Sequence, residues 1–342
     1  MNHLVTGGSG FVGNLIARKL HERGERVKIL DIWDDPACPP QIAFVSCDIR
    51  DSQGVRAAMQ GVDIVHHNVA QVPLAKNRQL FHSVNVEGTR NVLDAALANK
   101  IKKMVYTSSS AVYGIPQKNP VCERDPPHPG EAYGQSKLEA ENLCASYIPK
   151  GLDITVIRPR TILGPGRLGI FSILFEWVRQ GKKIPVLNGG KNLYQFVHLG
   201  DLVEACLLAA SKSGSAVYHC GADRFGTMGE AIAQLCHFAK TGSKIKTLPM
   251  WPATRIMQIT NALGVSPLGA YHALMYGQSF YFDISKAKQE LKWQPRYSNE
   301  EMLIESYQWY LDHFEDVKRN PGGSHHRTLL KHGILKMFQW FL

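Results

Sequence analysis

Apolar residues in the first half of the chain come in short continuous runs at 3–6, 26–30, 43–47, 62–67, 103–107 and 153–157. Such runs read as strands buried on both faces. Between them, 52–60, 78–99 and 133–147 carry helical spacing. After the first strand, Val12, Leu15, Ile16 and Leu20 mark one face of a helix that Gly24 stops. This alternation predicts an α/β fold with a doubly wound parallel sheet, in which ligands gather at the carboxyl ends of the strands. Polar or small punctuation falls at those ends: Asp31, Asp48, Val69-Ala70, Ser108 and Arg158-Pro159.

The second half mixes its patterns. Helical spacing at 170–180, 201–211, 227–240 and 299–314 and strands near 195–198 and 216–220 read as a continuation of the sheet with an excursion. The expected division is a dinucleotide-binding domain of residues 1–159 and 191–220, a smaller mixed C-terminal substrate lobe of 160–190 and 221–316, and a tail of 317–342. Within the lobe, 248–276 is apolar and interrupted by proline, and Pro321-Gly-Gly-Ser-His-His326 has the composition of a linker.

Composition narrows the class. A chain of 342 residues, 44% hydrophobic and 20% charged, can bury a sizeable core and is neither disordered nor a membrane bundle. No apolar run reaches the eighteen or so residues that span a bilayer, and the N-terminus lacks the charged region of a signal peptide. Seven scattered cysteines without Cys-x-x-Cys spacing fit reduced thiols in a cytoplasmic protein with no zinc site. Half of the net charge of +10 sits in the tail, which carries five basic residues and no acid, so nucleic-acid binding is not inferred. If helical, Arg327–Leu342 places Leu330, Ile334, Leu335, Phe338 and Phe341 opposite Lys331 and Lys336, a basic amphipathic end able to lie in an anionic membrane interface; packing on the body or disorder are the alternatives.

Three sets of residues carry chemistry. Gly7-Gly-Ser-Gly-Phe-Val-Gly13 lies between a strand and a helix, where glycines let backbone approach a pyrophosphate seated on the helix N-terminus. Asp31 stands twenty-one residues after Gly10 at a strand end. A carboxylate there accepts from a ribose 2′-hydroxyl and repels a 2′-phosphate, which favours NAD over NADP. Tyr133 and Lys137, four apart on a helix, lie side by side, so the ammonium favours the phenolate and the phenol can exchange a proton with an alcohol or ketone. A hydroxyl of Ser108-Ser109-Ser110 could bond the substrate oxygen. His66-His67 is read as strand packing, because neighbours on a strand point to opposite faces, and Glu139 and Glu141 as a solvated helix face. No hydrolase elbow is present.

Thr6–Gly13, Asp31, Cys47-Asp48-Ile-Arg-Asp51, His67-Asn-Val-Ala70, Asn85-Val-Glu-Gly-Thr89, Ser108–Gly114, Tyr133-Gly-Gln-Ser-Lys137 and Arg158-Pro159 stand in the order and spacing of a known family. In them the chain resembles the extended short-chain dehydrogenase/reductases, which include NAD-dependent sugar epimerases and dehydratases and the 3β-hydroxysteroid dehydrogenases. The resemblance is close over about the first 210 residues and looser beyond. It implies NAD as cofactor, with Gly7, Gly10, Phe11 and Val12 at the pyrophosphate and Asp31 at the adenosine ribose. Asp48 and Ile49 would hold the adenine, Val69 and Ala70 would lie beside the adjoining ribose and phosphates, and Asn85 would support the site. The catalytic hydroxyl falls on Ser109, the acid/base on Tyr133, and Lys137 binds the nicotinamide ribose and lowers the phenol's pKa.

Departures from the pattern bear on the member. Ser110-Ala111 replaces the Asp-Glu pair of sugar-nucleotide dehydratases, which argues against dehydration. Tyr194 stands where many nucleotide-sugar enzymes carry an arginine for the diphosphate, so an anionic substrate would need another cation, such as Arg160, Arg167 or Arg255. The run Gly190–Phe196 and the stretch 248–276 look more like the 3β-hydroxysteroid dehydrogenases, whereas Ser108–Gly114 followed by Tyr133–Lys137 is similar to the sugar epimerases. A nucleotide-sugar epimerase is therefore the first expectation and an NAD-dependent sterol-type dehydrogenase, acting on a lipid-like alcohol, the second. An NAD-binding regulatory or scaffold protein is the non-enzymatic alternative. By analogy a homodimer is expected.

Overall fold

The computed structural model describes residues 1–71, 78–249, 275 and 277–319. Arg255, most of the 248–276 stretch and the tail beyond Arg319 lie outside the described residues. Its strands are β1 (Asn2–Thr6), β2 (Arg26–Asp31), β3 (Ala43–Ser46), β4 (Ile64–His67), β5 (Lys103–Thr107), β6 (Ile154–Pro159), β7 (Thr161–Leu163), β8 (Ile184–Leu187), β9 (Phe196–His198), β10 (Ala216–Cys220) and β11 (Ile245–Leu248). Seven form one parallel sheet in the order β10-β6-β5-β4-β1-β2-β3. Chain direction along the sheet reverses at β1, which lies between β2 and β4. The crevice outside the carboxyl ends of β1 and β4 is the place where such a sheet admits a ligand.

The helices are α1 (Phe11–Glu22), α2 (Ser52–Ala58), α3 (Arg78–Phe81), α4 (Gly88–Ala98), α5 (Ala132–Tyr147), α6 (Phe171–Arg179), α7 (Leu199–Ser211) and α8 (Met228–Ala239), followed by Ser285–Leu291, Asn299–Asp312 and Phe314–Arg319. One wide π turn, His82–Glu87, joins α3 to α4. Each face of the sheet carries its own core. Ile16, Val27, Leu202 and Tyr218 belong to the layer of α1 and α7, and Val55, Val92, Met104 and Cys144 to that of α2, α4 and α5. A third core, with Phe175, Phe196, Leu235 and Tyr307, joins α6, β9, α8 and the helix Asn299–Asp312.

Two details differ from the pattern in the sequence. The strand near 195–198 does not extend the sheet: β10 occupies the edge beside β6, pairing Ala216 with Thr155 through Cys220 with Pro159, so β9 pairs with β7 instead. The segment around Ser285–Leu291 also leaves the lobe. Ile284, Ala287, Leu291 and Trp293 pack into the sheet layer of α7, and the Trp293 indole donates to the Asp201 carbonyl at 2.8 Å. No helix among the described residues is long and apolar enough to cross a membrane.

Candidate active site

The glycine turn after β1 is closed by two contacts that leave no room for a side chain. A Cβ on Gly7, where φ is +67°, would lie 2.9 Å from the amide nitrogen of Val69, and one on Gly13 would lie 2.2 Å from the Gly7 carbonyl oxygen. Gly10 caps α1 with extended backbone and no side-chain bond, so the helix begins directly at the glycine turn. Phe11 is buried behind the turn and Val12 packs against the same layer. The Asp31 carboxylate accepts from the amides of Ser9 at 3.1 Å and Ile32 at 2.8 Å. Burial raises its pKa while these amides pull it back. A cradle that only glycine fits, beside an acid at the neighbouring strand end, suits a dinucleotide.

The remaining residues expected at the cofactor lie around that crevice in different states. The Asp48 carboxylate is engaged with the Arg50 guanidinium, which lowers its pKa, and Ile49 is buried against Gly88. Val69 and Ala70 line the turn after β4, half-buried. Asn85, inside the π turn, ties that segment to α5. Its Oδ1 accepts from the Gln71 amide at 2.7 Å, and its Nδ2 donates to Ser136 Oγ at 2.9 Å.

Helix α5 starts on the Glu131 carboxylate, which accepts from the amides of Tyr133 at 2.7 Å and Gly134 at 2.6 Å. Gly134 then lets the helix rest on the turn Ser110–Tyr113, since a Cβ there would lie 2.4 Å from the Ala111 carbonyl oxygen. Ser109 caps that turn, its Oγ accepting from the Ala111 amide at 3.1 Å. The serine segment and the first turn of α5 are thus fixed to each other through one glycine. Tyr133 is buried with its ring edge-on to Phe81 at 6.0 Å. One turn on, the Lys137 ammonium donates to the Thr107 carbonyl at 2.7 Å and lies 4.4 Å from the centroid of the Tyr106 ring. Burial lowers its pKa to about 7, and the Glu141 carboxylate opposes that shift. Arg167 reaches in from the loop after β7, 5.6 Å from the Phe11 ring centroid. Burial lowers its pKa to about 10, opposed by the Tyr133 phenol.

Glu141 corrects the sequence-based expectation: it is buried, not solvated. Its carboxylate takes the Arg158 Nε on both oxygens, at 3.0 and 3.1 Å, and the Ser108 hydroxyl. Arg158 also donates to the Tyr113 hydroxyl, which bonds His219 Nε2 at 2.8 Å. The signal was available. Tyr133, Lys137, Ala140, Glu141 and Cys144 recur at i, i+4, i+7, i+8 and i+11, one buried stripe of α5. His66 and His67 do point to opposite faces, His66 to His3 Nδ1 at 3.2 Å and His67 to the hydroxyls of Thr6 at 2.7 Å and Thr89 at 2.9 Å.

A sheet wound in this order around a glycine turn and a Tyr133–Lys137 helix defines a Rossmann-fold enzyme that works with a dinucleotide. Residues 3–221 match the NAD dependent epimerase/dehydratase family, and the chain belongs to it, an NAD-dependent enzyme of the extended short-chain dehydrogenase/reductase type. It is 47% identical to the uncharacterized protein y4nG of Sinorhizobium fredii over 99% of this chain and 86% of that one. It is 34% identical to the human sterol-4-alpha-carboxylate 3-dehydrogenase, decarboxylating, over 61% of this chain and 57% of that protein. The fold is similar to a UDP-glucose 4-epimerase from Thermotoga maritima, with a TM-score of 0.77 and 23% identity over 92% of this chain and all of that one.

Proposed function

We propose that the protein moves hydride at a secondary carbinol of a small molecule and acts as an epimerase on a sugar carried by a nucleotide. The observation that carries this reading is the join of Ser109 to the first turn of α5 through Gly134, which brings the segments bearing a hydroxyl, a phenol and an ammonium together after the carboxyl end of β5. Ser109 bonds the substrate oxygen, Tyr133 takes or returns its proton, and Lys137 holds the nicotinamide ribose and favours the phenolate. Gly7, Gly10, Phe11 and Val12 hold the pyrophosphate, Asp31 the adenosine ribose, and Asp48 and Ile49 the adenine; Val69 and Ala70 flank the adjoining ribose and phosphates. When bound, NAD supplies the hydride acceptor and donor at C4 of its nicotinamide ring.

The second reading is an NAD-dependent dehydrogenase of a sterol-like alcohol. The human relative's name and the tyrosine at 194, in place of a diphosphate-reading arginine, favour it. One preparation tests both. An epimerase retains NAD(H) through purification and forms no net NADH; steady NADH production from a sterol alcohol selects the dehydrogenase. In either case Tyr133→Phe should keep its cofactor content and lose about 10²–10⁴-fold in turnover. Equal turnover by the variant and the wild type would remove the acid/base role.

A further inference from the structure

Strand β6 and the residue after it deliver two buried arginines, and only one has an acid. Arg160 is 1% exposed, yet no carboxylate among the described residues lies within ion-pair distance of it. Its Nη1 donates to Ser110 Oγ at 2.9 Å, while Nε and Nη2 have no hydrogen-bond partner among the described residues. Around it stand three rings, Phe280 at 3.8 Å, Tyr194 at 4.8 Å and Phe282 at 5.6 Å from the guanidinium carbon to each centroid. Ring faces offset part of the desolvated charge, but they accept none of the remaining N–H groups well.

This surround is built, not incidental. The Tyr194 hydroxyl bonds Thr161 Oγ1 at 2.8 Å, the Phe280 amide donates to the Leu193 carbonyl at 2.9 Å, and the Phe282 amide donates to Gln195 Oε1 at 2.9 Å. Ser110 follows the expected catalytic Ser109, so the guanidinium is bonded to the residue next in the chain to the one proposed to bind the carbinol oxygen.

We propose that Arg160 anchors an anionic group of the substrate, a carboxylate or a phosphate, on its two unpaired donors. This rests on the hydride-transfer reading above and narrows its substrate to one with a negative group near the reacting carbinol. The planar fork offers two parallel N–H bonds, which a lysine cannot reproduce. With Arg160 1% exposed, entry of the anion requires a surrounding side chain to move.

The test uses the full chain loaded with NAD and three probes: inorganic phosphate, UDP and 3-hydroxybutyrate. Calorimetry should show wild type binding at least one of them, with Arg160→Met weakened tenfold or more and Arg160→Lys intermediate. Arg23→Met, a surface control, should be unchanged. The preferred probe separates phosphate, nucleoside diphosphate and carboxylate sources. Equal affinity in wild type and Arg160→Met, or no binding of any probe by wild type at 10 mM (~10 mM being a weak-site ceiling), overturns the anchor. If Arg160→Met fails to fold, Arg160→Lys decides, with no weakening counting against. Loss of the anchor with NAD retained and turnover still dependent on Tyr133 leaves hydride transfer standing; a chain that binds no NAD removes that reading instead.

Discussion

Two polar regions flank the carboxyl end of β6, and they treat the same charge in opposite ways. Beneath α5, Arg158 is closed by Glu141, Tyr113 and, through Tyr113, His219. Two residues on, Arg160 is as deeply buried and meets three rings and one hydroxyl. The first region joins α5 to β5, β6 and β10 with nearly every charge answered from within the chain. A network that complete fixes geometry, because any member moving leaves another unsatisfied. The second offers no carboxylate among the described residues, and only the Ser110 hydroxyl accepts from its guanidinium there. The contrast separates a cation that holds the fold from one that waits for a ligand.

Removing one partner from the closed region should give the largest effect. Glu141→Ala leaves Arg158 buried without its carboxylate, which typically costs about 3–5 kcal/mol. Urea unfolding followed by circular dichroism should show that loss with an unchanged slope. Arg160→Met, which removes one hydrogen bond to Ser110 and no ion pair among the described residues, should stay within about 1.5 kcal/mol of wild type in either direction. If the two variants are equally unstable, Arg160 is part of the fold's closed network and the contrast disappears.

A smaller effect lies at Lys137. Its pKa of about 7 is below the ordinary lysine value because burial disfavours the ammonium. The unfolded chain therefore binds the extra proton between about pH 7 and 10.5, and stability rises with pH across that window. The slope from one proton is at most about 1.4 kcal/mol per pH unit. Lys137→Met should flatten the rise between pH 7 and 9 in cofactor-free protein. An unchanged pH profile in the variant would mean that Lys137 keeps its charge without help.

These two regions also mark how far the sequence could be read. The strands of the sheet and the helix α5 follow from apolar runs and helical spacing, which place Asp31 and the Ser108–Ser110 cluster at strand ends and Tyr133 and Lys137 one turn apart. The choice of Ser109 within the cluster comes from the family resemblance. Glu141 belongs with Lys137, four residues away on the buried stripe, and a comparison with Glu139, two residues away, hides this. The ring cage of Arg160 was not legible at all. Tyr194, Phe280 and Phe282 come together through isolated bridges, Tyr194 to Phe280 and Val121 to Phe282, whose register no local pattern records. Likewise β9 could not be assigned its partner, because pairing with β7 depends on β10 having taken the edge.

The smallest effect belongs to the residue that touches both regions. His219 bonds Tyr113 through Nε2 and stacks on Phe282, centroids 3.8 Å apart and planes at 14°. Burial lowers its pKa to about 3, and the Arg158 charge adds to that, against the backbone carbonyls of Val121 and Asp283 and the Asp283 carboxylate. The unfolded chain therefore takes a proton that the folded chain refuses, between pH 6.5 and about 3, so the stability this ring contributes is present above pH 6.5 and is lost as the pH falls through that window. His219→Gln should be less stable than wild type by about 1 kcal/mol at pH 7, the worth of one buried hydrogen bond. The gap should narrow in urea titrations taken between pH 6 and 4, because the variant has no imidazole left to protonate. A gap that stays constant would show that acid reaches neither the Arg158 network nor the Phe282 wall through this residue.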